Sequence, residues 1–465
     1  MEQGGEGRRA AISAGAPKKA APRLKLALAR RIDAAGPGAY PLGVSNERKS
    51  FDADVLICGG GLVGPTLALA LEQAGLEVAV IDASKPAETL AANFDGRAFA
   101  IAFASYRMWR ALGLGDALDP VAQPIDEIMV TDGALGRGRG EGGPSLLHLH
   151  FDRAELRDHD EPLGLMLEAR HVRMALNDAL KARSSIRMIQ PMSVSAIARD
   201  AAGVTATLAD GRTMRAPLLV GADGRRSFVR EAVGVRTIGW TYPATAIVAT
   251  IAHEEPHGAV AHEYFLPNGP FAILPLKGER SNIVWAEPRA AADALLNMPE
   301  QDFLAELRRR FGDFLGALSL EGPRFGYPLS LQMAERMIDT RVALAGDSAH
   351  GIHPLAGQGL NLGLKDCAAL AECIADGVGL GLDPGEVSIL ERYQRWRRFD
   401  NVSMALGMEF FDKLFSNNSA PLRAARRLGL GAVNAAGPAR RFFMRYAGGG
   451  AGDLPKLLKG ESLAV

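Results

Sequence analysis

Cysteine is scarce. Cys58, Cys367 and Cys373 are the three in 465 residues, and none forms a CxxC pair or joins histidines at metal-ligand spacing. A disulfide framework and a zinc finger are therefore excluded, and a reducing cytosol is the expected setting. Long apolar runs are also missing. No unbroken stretch reaches the ~18–20 residues that a membrane-spanning helix needs, so any membrane contact is expected to be peripheral. No secretory signal is visible. Charge of one sign does not dominate either: Lys and Arg total 53 and so do Asp and Glu, which argues against a nucleic-acid binder held by counterion release. What the chain has is apolar material, 48% of its residues, enough for roughly two or three globular domains. Residues 1–50 are rich in Ala, Gly, Lys and Arg and show no sustained period. They are expected to be a disordered extension, with a mitochondrial transit peptide as the less favoured reading.

Organised sequence starts at Asp54-Val55-Leu56-Ile57-Cys58, an apolar run suited to a buried parallel strand. It leads into Gly59-Gly60-Gly61-Leu62-Val63-Gly64, then an Ala/Leu-rich helix ending at Gly75, then a strand from Glu77 to Ile81 that closes on Asp82. A GxGxxG alone is weak evidence in a chain with 53 glycines; the strand, helix, strand and acid around it make it strong. Gly59 is expected to make the tight turn, Gly61 to let the backbone approach a pyrophosphate, and Gly64 to let helix and strand pack. Asp82 stands where a carboxylate accepts from ribose hydroxyls, and the helix N-terminus faces the phosphates.

Two later strand-to-loop junctions follow. A hairpin over Val204–Val220, turning at Asp210-Gly211-Arg212, delivers the chain to Gly221-Ala222-Asp223-Gly224-Arg225-Arg226-Ser227. A second buried-type strand, Arg341–Ala345, runs into Gly346-Asp347-Ser348-Ala349-His350 and on through Pro354-Leu355-Ala356-Gly357-Gln358-Gly359-Leu360-Asn361 into an amphipathic helix. Taken in this order, GADGRRSFVR and GDSAHGIHPLAGQGLNLGLKDCAALAE resemble the Asp-Gly motif and the second FAD motif of single-component flavoprotein aromatic hydroxylases. IDEIMVTDG, HEYFLPNGPFAILPL, YPLSLQMAERMIDTRVALAGD and ERYQRWRRFDN narrow the resemblance to the ubiquinone-biosynthesis hydroxylases, over about residues 52–460.

The resemblance implies an α/β fold: an FAD-binding Rossmann-like domain, an inserted mixed β-sheet substrate domain of the p-hydroxybenzoate-hydroxylase type, and a helical C-terminal tail. FAD-binding segments are expected at 51–130, 161–235 and 336–400, a substrate-domain segment at 131–160, the substrate domain at 236–335 and the tail at 401–465. It assigns Asp347 to the ribityl hydroxyls and Pro354 to a place beside the isoalloxazine. Gly357, Gln358, Gly359, Leu360 and Asn361 would bring backbone amides and a helix dipole to the flavin's pyrimidine edge. Arg97 would contact FAD, and Asp223 and Arg230 would serve both FAD and NAD(P)H, a transient co-substrate. It further implies reduction by NAD(P)H, a flavin C4a-hydroperoxide, and attack on it by an electron-rich, polyprenylated phenol; no residue is singled out as a catalytic acid or base. Tyr264 and Phe271 are the candidate substrate-wall residues, against the plainer reading of ordinary sheet residues. His350 and His353 are read as loop residues, not metal ligands, and no metal is expected. The expected location is cytoplasmic, with peripheral attachment to the inner membrane or to a biosynthetic complex through the basic tail, Leu422 to Tyr446. A hydroxylase of small soluble aromatics and a non-catalytic flavin scaffold are the alternatives; a flavin halogenase is set aside because Trp109, Trp240, Trp285 and Trp396 stand far apart.

Overall fold

Four apolar residues in a row need cover on both faces, and β1 (Val55–Cys58) has it: every residue is buried. It sits between β2 (Val78–Ile81) and β12 (Leu218–Gly221), parallel to both. β8 (Ile186–Ile189) follows β2, while β19 (Val342–Leu344) and the short antiparallel β18 (Ile338–Asp339) follow β12, completing a six-stranded sheet. The chain is seen in a computed structural model that describes residues 51–86, 97–132, 148–155, 161–266, 268–351, 358–415, 429, 431–438, 440–441, 444, 448–450 and 452–463. α1 (Val63–Gln73) buries Gly64 through Leu71 against this sheet and its neighbours. Beside it lies α6 (Gln358–Gly379), whose Cys367 thiol donates to the Val63 carbonyl at 3.3 Å. All three cysteines are buried and free, and they fill the core.

A second, eight-stranded sheet is built differently. Its order is β20 (His350–Gly351), β17 (Leu318–Ala334), β13 (Thr237–His253), β16 (Arg280–Pro288), β15 (Gly269–Leu276), β14 (Val260–Leu266), β5 (Glu127–Thr131) and β6 (His148–Asp152). One face is covered by α4 (Arg289–Asn297) and α5 (Glu300–Phe311), where Ile247, Phe271, Trp285, Leu295, Phe303 and Leu307 form an apolar core. The other face turns toward the dinucleotide-binding side. There Ala261, Leu274 and Leu276 meet Ile125, Met166 and Ala100 from a three-stranded sheet of β3 (Ala98–Ala102), β7 (Gly164–Glu168) and β4 (Gln123–Ile125). β5 spans the end of the segment expected to be FAD-binding, 51–130, and it pairs in parallel with β14, because the connection after β4 carries it across to the second sheet. The Asp210 turn joins β10 (Val204–Leu208) to β11 (Thr213–Ala216) as an antiparallel hairpin.

Among the described residues, no helix is long and apolar enough to cross a membrane. Two tail residues nominated for a lipid surface are engaged elsewhere. Arg440 reaches Glu155 at 2.6 Å, and Met444 is 1% exposed within an apolar cluster that includes Phe265. Residues 421–428, Phe442, Phe443 and 445–447 lie outside the described residues.

Candidate active site

The three motifs converge because three adjacent parallel strands end together. Cys58, Gly221 and Leu344 are in register at the carboxyl ends of β1, β12 and β19, and strands are about 4.8 Å apart. The loops carrying Gly61, Asp223 and Asp347 therefore rise from one edge within about 10 Å, the edge where open parallel sheets bind ligands.

The glycine loop has the spatial demands of a phosphate cradle. Gly59 has a φ of +115°, and a Cβ there would come within 2.2 Å of the Ala222 carbonyl oxygen. At Gly64 a Cβ would come within 1.9 Å of the Gly59 oxygen, so helix α1 can begin this close to β1 only with glycine. Gly61 is the exception: among the described residues, a Cβ there would meet nothing within 4 Å. Its backbone faces the open space of a cleft of about 420 Å³, lined by Gly59, Gly60, Gly61, Asp82, Asp223 and Arg226 among others. At its rim Asp82 accepts from the Ser84 amide at 2.6 Å through Oδ1, and its Oδ2 is turned toward Gly60. Asp223 accepts from the Val229 amide at 3.0 Å through Oδ2, while its buried Oδ1 has no partner among the described residues. A buried carboxylate oxygen without a donor is costly unless a ligand hydroxyl completes it. The open cradle and the orphaned acceptor both fit a dinucleotide cofactor. Cys58, behind the loop, is no nucleophile: burial first, then the charge of Asp223, pushes its thiol well above the ordinary value.

Asp347 lies in the short helical turn Gly346–Ser348 directly after β19. A Cβ on Gly346 would crowd Val63 of α1 at 3.0 Å, so this turn touches the start of the first motif's helix. Asp347 is partly exposed, with Arg225 Nε at 3.3 Å. The turn is held from below by an ionic cluster. Asp366 on α6 accepts from the Gly346 amide at 3.0 Å, contacts His350 Nε2 at 2.5 Å, and accepts from Arg397 Nε at 2.9 Å. Arg397 belongs to α7 (Val387–Phe415). Burial alone would raise the Asp366 pKa, but His350 and Arg397 outweigh it and hold the carboxyl below the usual range. His350 is thus an acid's partner, while His353 lies outside the described residues.

The other nominated residues fall into three groups. Pro354 and Gly357 lie outside the described residues; Gln358, Gly359 and Leu360 form the first turn of α6. Asn361 is buried with its side chain engaged, accepting from Ala102 N and donating to the Ala100 carbonyl, each at 2.8 Å. It clamps α6 to β3, so any contact it makes with a cofactor comes through its main chain. Arg97, just before β3, is exposed, and its carbonyl accepts from Ala169 at 2.9 Å.

Two expectations need correction. Arg230 is 5% exposed and donates to the carbonyls of Ser348 and Arg225; it ties the second motif to the third and is not open to a visiting nucleotide. Tyr264 and Phe271 are each 0% exposed and lie on the face covered by α4 and α5, so neither lines a wall facing the dinucleotide side. Successive strand residues alternate faces, so on β14 and β15 it is their sequence neighbours that face the dinucleotide side. Reasoning from sequence also passed over Arg226, an exposed arginine lining the cleft; the Arg225-Arg226 doublet after the Asp-Gly turn was the available signal.

Comparison with known proteins agrees with this geometry. The FAD binding domain family matches residues 52–399. The chain is 49% identical over 416 residues to the ubiquinone hydroxylase UbiL of Rhodospirillum rubrum, covering 88% of this chain and 94% of that protein. It is 34% identical to the 3-demethoxyubiquinol 3-hydroxylase of Escherichia coli, covering 85% and 98%. With the mitochondrial ubiquinone biosynthesis monooxygenase COQ6 of Homo sapiens the identity is 31%, covering 85% and 92%. The fold matches the crystal structure of p-nitrophenol 4-monooxygenase from Pseudomonas putida with a TM-score of 0.71 at 21% identity, covering 86% of this chain and 99% of that one. The protein is an FAD-dependent monooxygenase by class. The chain belongs to the FAD-binding family that includes the ubiquinone-biosynthesis hydroxylases.

Proposed function

We propose that this protein hydroxylates the ring of a polyprenylated phenol in ubiquinone biosynthesis, using NAD(P)H and O2. The observation that carries the reading is the convergence of Gly61, Asp223 and Asp347 on one sheet edge. Bound FAD supplies the transfer of electrons from NAD(P)H and the activation of O2. The chain's own residues bind and orient. Gly61 admits the pyrophosphate, Asp82 and Asp223 accept from ribose and ribityl-side hydroxyls, and Asp347 holds the ribityl chain from the third loop. Gln358, Gly359 and Leu360 place the N-terminus of a 22-residue helix at the flavin's pyrimidine edge, where its positive end favours negative charge. Arg97, just before β3, is assigned to FAD by the resemblance, as are Pro354 and Gly357, which lie outside the described residues. Arg226, at the cleft mouth, gives an anionic dinucleotide a cation to meet. Peripheral attachment to a membrane or a biosynthetic complex would bring a long-tailed substrate to the second sheet.

Deleting the gene in its host should accumulate a polyprenylated quinone precursor lacking one ring oxygen, identified by mass spectrometry. Unchanged quinone content, with loss of growth on a small aromatic acid instead, would favour a hydroxylase of soluble aromatics.

A further inference from the structure

The second sheet carries a carboxyl that nothing above uses. Across β13, β16, β15, β14 and β5 the strand register aligns Val248, Val284, Ala272, Glu263 and Val130 in one row. This row lies on the face turned toward the dinucleotide-binding side, one residue out of phase with Ile247, Trp285, Phe271 and Tyr264. The latter four are at most 1% exposed. In the former row, Val248, Val284, Glu263 and Val130 keep part of their surface open, although they sit on inner strands of an eight-stranded sheet. Open surface in the middle of a sheet means a recess over it. Glu263 flanks that recess, with Ala272 directly opposite leaving room beside it. It has no hydrogen bond or ion pair among the described residues, and burial pushes its pKa up to about 8, so near neutral pH the group is an uncharged acid. A lone polar group in an apolar recess is the common design of a ligand site.

We propose that Glu263 is the polar anchor of the substrate wall, its carboxyl hydrogen-bonding the hydroxyl of a neutral phenol whose ring lies along Val284 and Val248. The inference rests on the hydroxylase reading and deepens it by assigning substrate chemistry. A neutral phenol suits an uncharged carboxyl; an aromatic carboxylate would want a cation, and Arg280, on the same face four residues along β16 from Val284, is already held by Glu168 at 2.8 Å and Glu321 at 2.5 Å.

The test uses the FAD-loaded full chain and three probes: a geranyl-substituted phenol, its methyl ether, and 4-hydroxybenzoate. Binding is followed by perturbation of the flavin spectrum. The wild type should prefer the phenol over its ether by about tenfold, the worth of one hydrogen bond, and should bind the benzoate more weakly than the phenol. Glu263→Leu should bind phenol and ether equally, Glu263→Gln should keep part of the preference, and both should retain FAD. A preference unchanged in Glu263→Leu, or absent from the wild type, overturns the proposal. Flavin reduction by NAD(P)H in the wild type is read separately. If it occurs while the phenol preference is missing, the anchor alone is wrong; if it fails, the hydroxylase reading falls and the anchor with it.

Discussion

Gly61→Asp should fold like the parent and purify almost colourless. Apart from its chain neighbours, no described residue has an atom within 4 Å of a Cβ at this position, so the apoprotein gains no clash, and its thermal midpoint should barely move. The space it enters is the one the account gives to a pyrophosphate. A carboxylate about 5 Å from a phosphate, at an effective dielectric near 20, costs on the order of 3 kcal/mol per pair of charges, which is more than a hundredfold in affinity. Titrating apoprotein with FAD, followed by quenching of flavin fluorescence, measures this directly. Gly379→Asp is the control: that glycine also has open space around it but ends α6, away from the cleft, and its FAD affinity should match the wild type. Full FAD occupancy in Gly61→Asp would place the cofactor elsewhere.

The second large effect is expected at Asp366, which never touches the cleft. Replacing it with Ala takes from Arg397, whose side chain is 3% exposed, its fully buried partner and leaves it only the half-exposed Asp400 and the side-chain amide of Asn401, and it breaks the contact to His350. Removing one partner of a buried ion pair typically costs about 3–5 kcal/mol, and the urea midpoint should fall accordingly. The Gly346 amide loses its acceptor as well, so FAD should bind more weakly even in protein that remains folded. The wild type should show a matching pH dependence. Asp366 is held below the usual carboxylate range, so its contribution is complete above the unfolded value of about 3.9 and is lost as pH falls through the folded value. Between neutrality and strong acid the wild type should therefore lose more stability than Asp366→Asn. Parallel acid curves for the two proteins would show that the cluster is not ionic.

Much of this site could be read from residue order, for a physical reason. A loop that leaves a buried strand and must admit a phosphate has few solutions, so Gly59, Gly61, Gly64 and Asp82 stood out, as did the acids closing the next two strand ends. Pairing between distant segments was harder. Nothing local tells that β5 leaves its neighbours to run beside β14, more than 120 residues later by sequence number. Side-chain parity was harder still. β14 reads Val-Ala-His-Glu-Tyr-Phe-Leu with apolar residues on both faces, since each face packs against other parts of the chain along part of the strand, so alternation could not separate Tyr264 from Glu263. Aromatic character then drew attention to Tyr264, which the structure buries on the helix-covered face. Arg230 misled in a related way: beside an Asp-Gly turn an arginine looks like a ligand, and only the carbonyls of Ser348 and Arg225 around it reveal a buried clamp.

The central claim is that the chain places one atom of O2 on the ring of a prenylated phenol. Purified FAD-loaded protein should be given NAD(P)H, a polyprenylated phenol and 18O2, and the product analysed by mass spectrometry. The account predicts a ring hydroxyl carrying a single 18O, with one NAD(P)H consumed per product. Oxidation of NAD(P)H that yields hydrogen peroxide and leaves the ring unlabelled at every phenol concentration, or a hydroxyl whose oxygen comes from water, would contradict it.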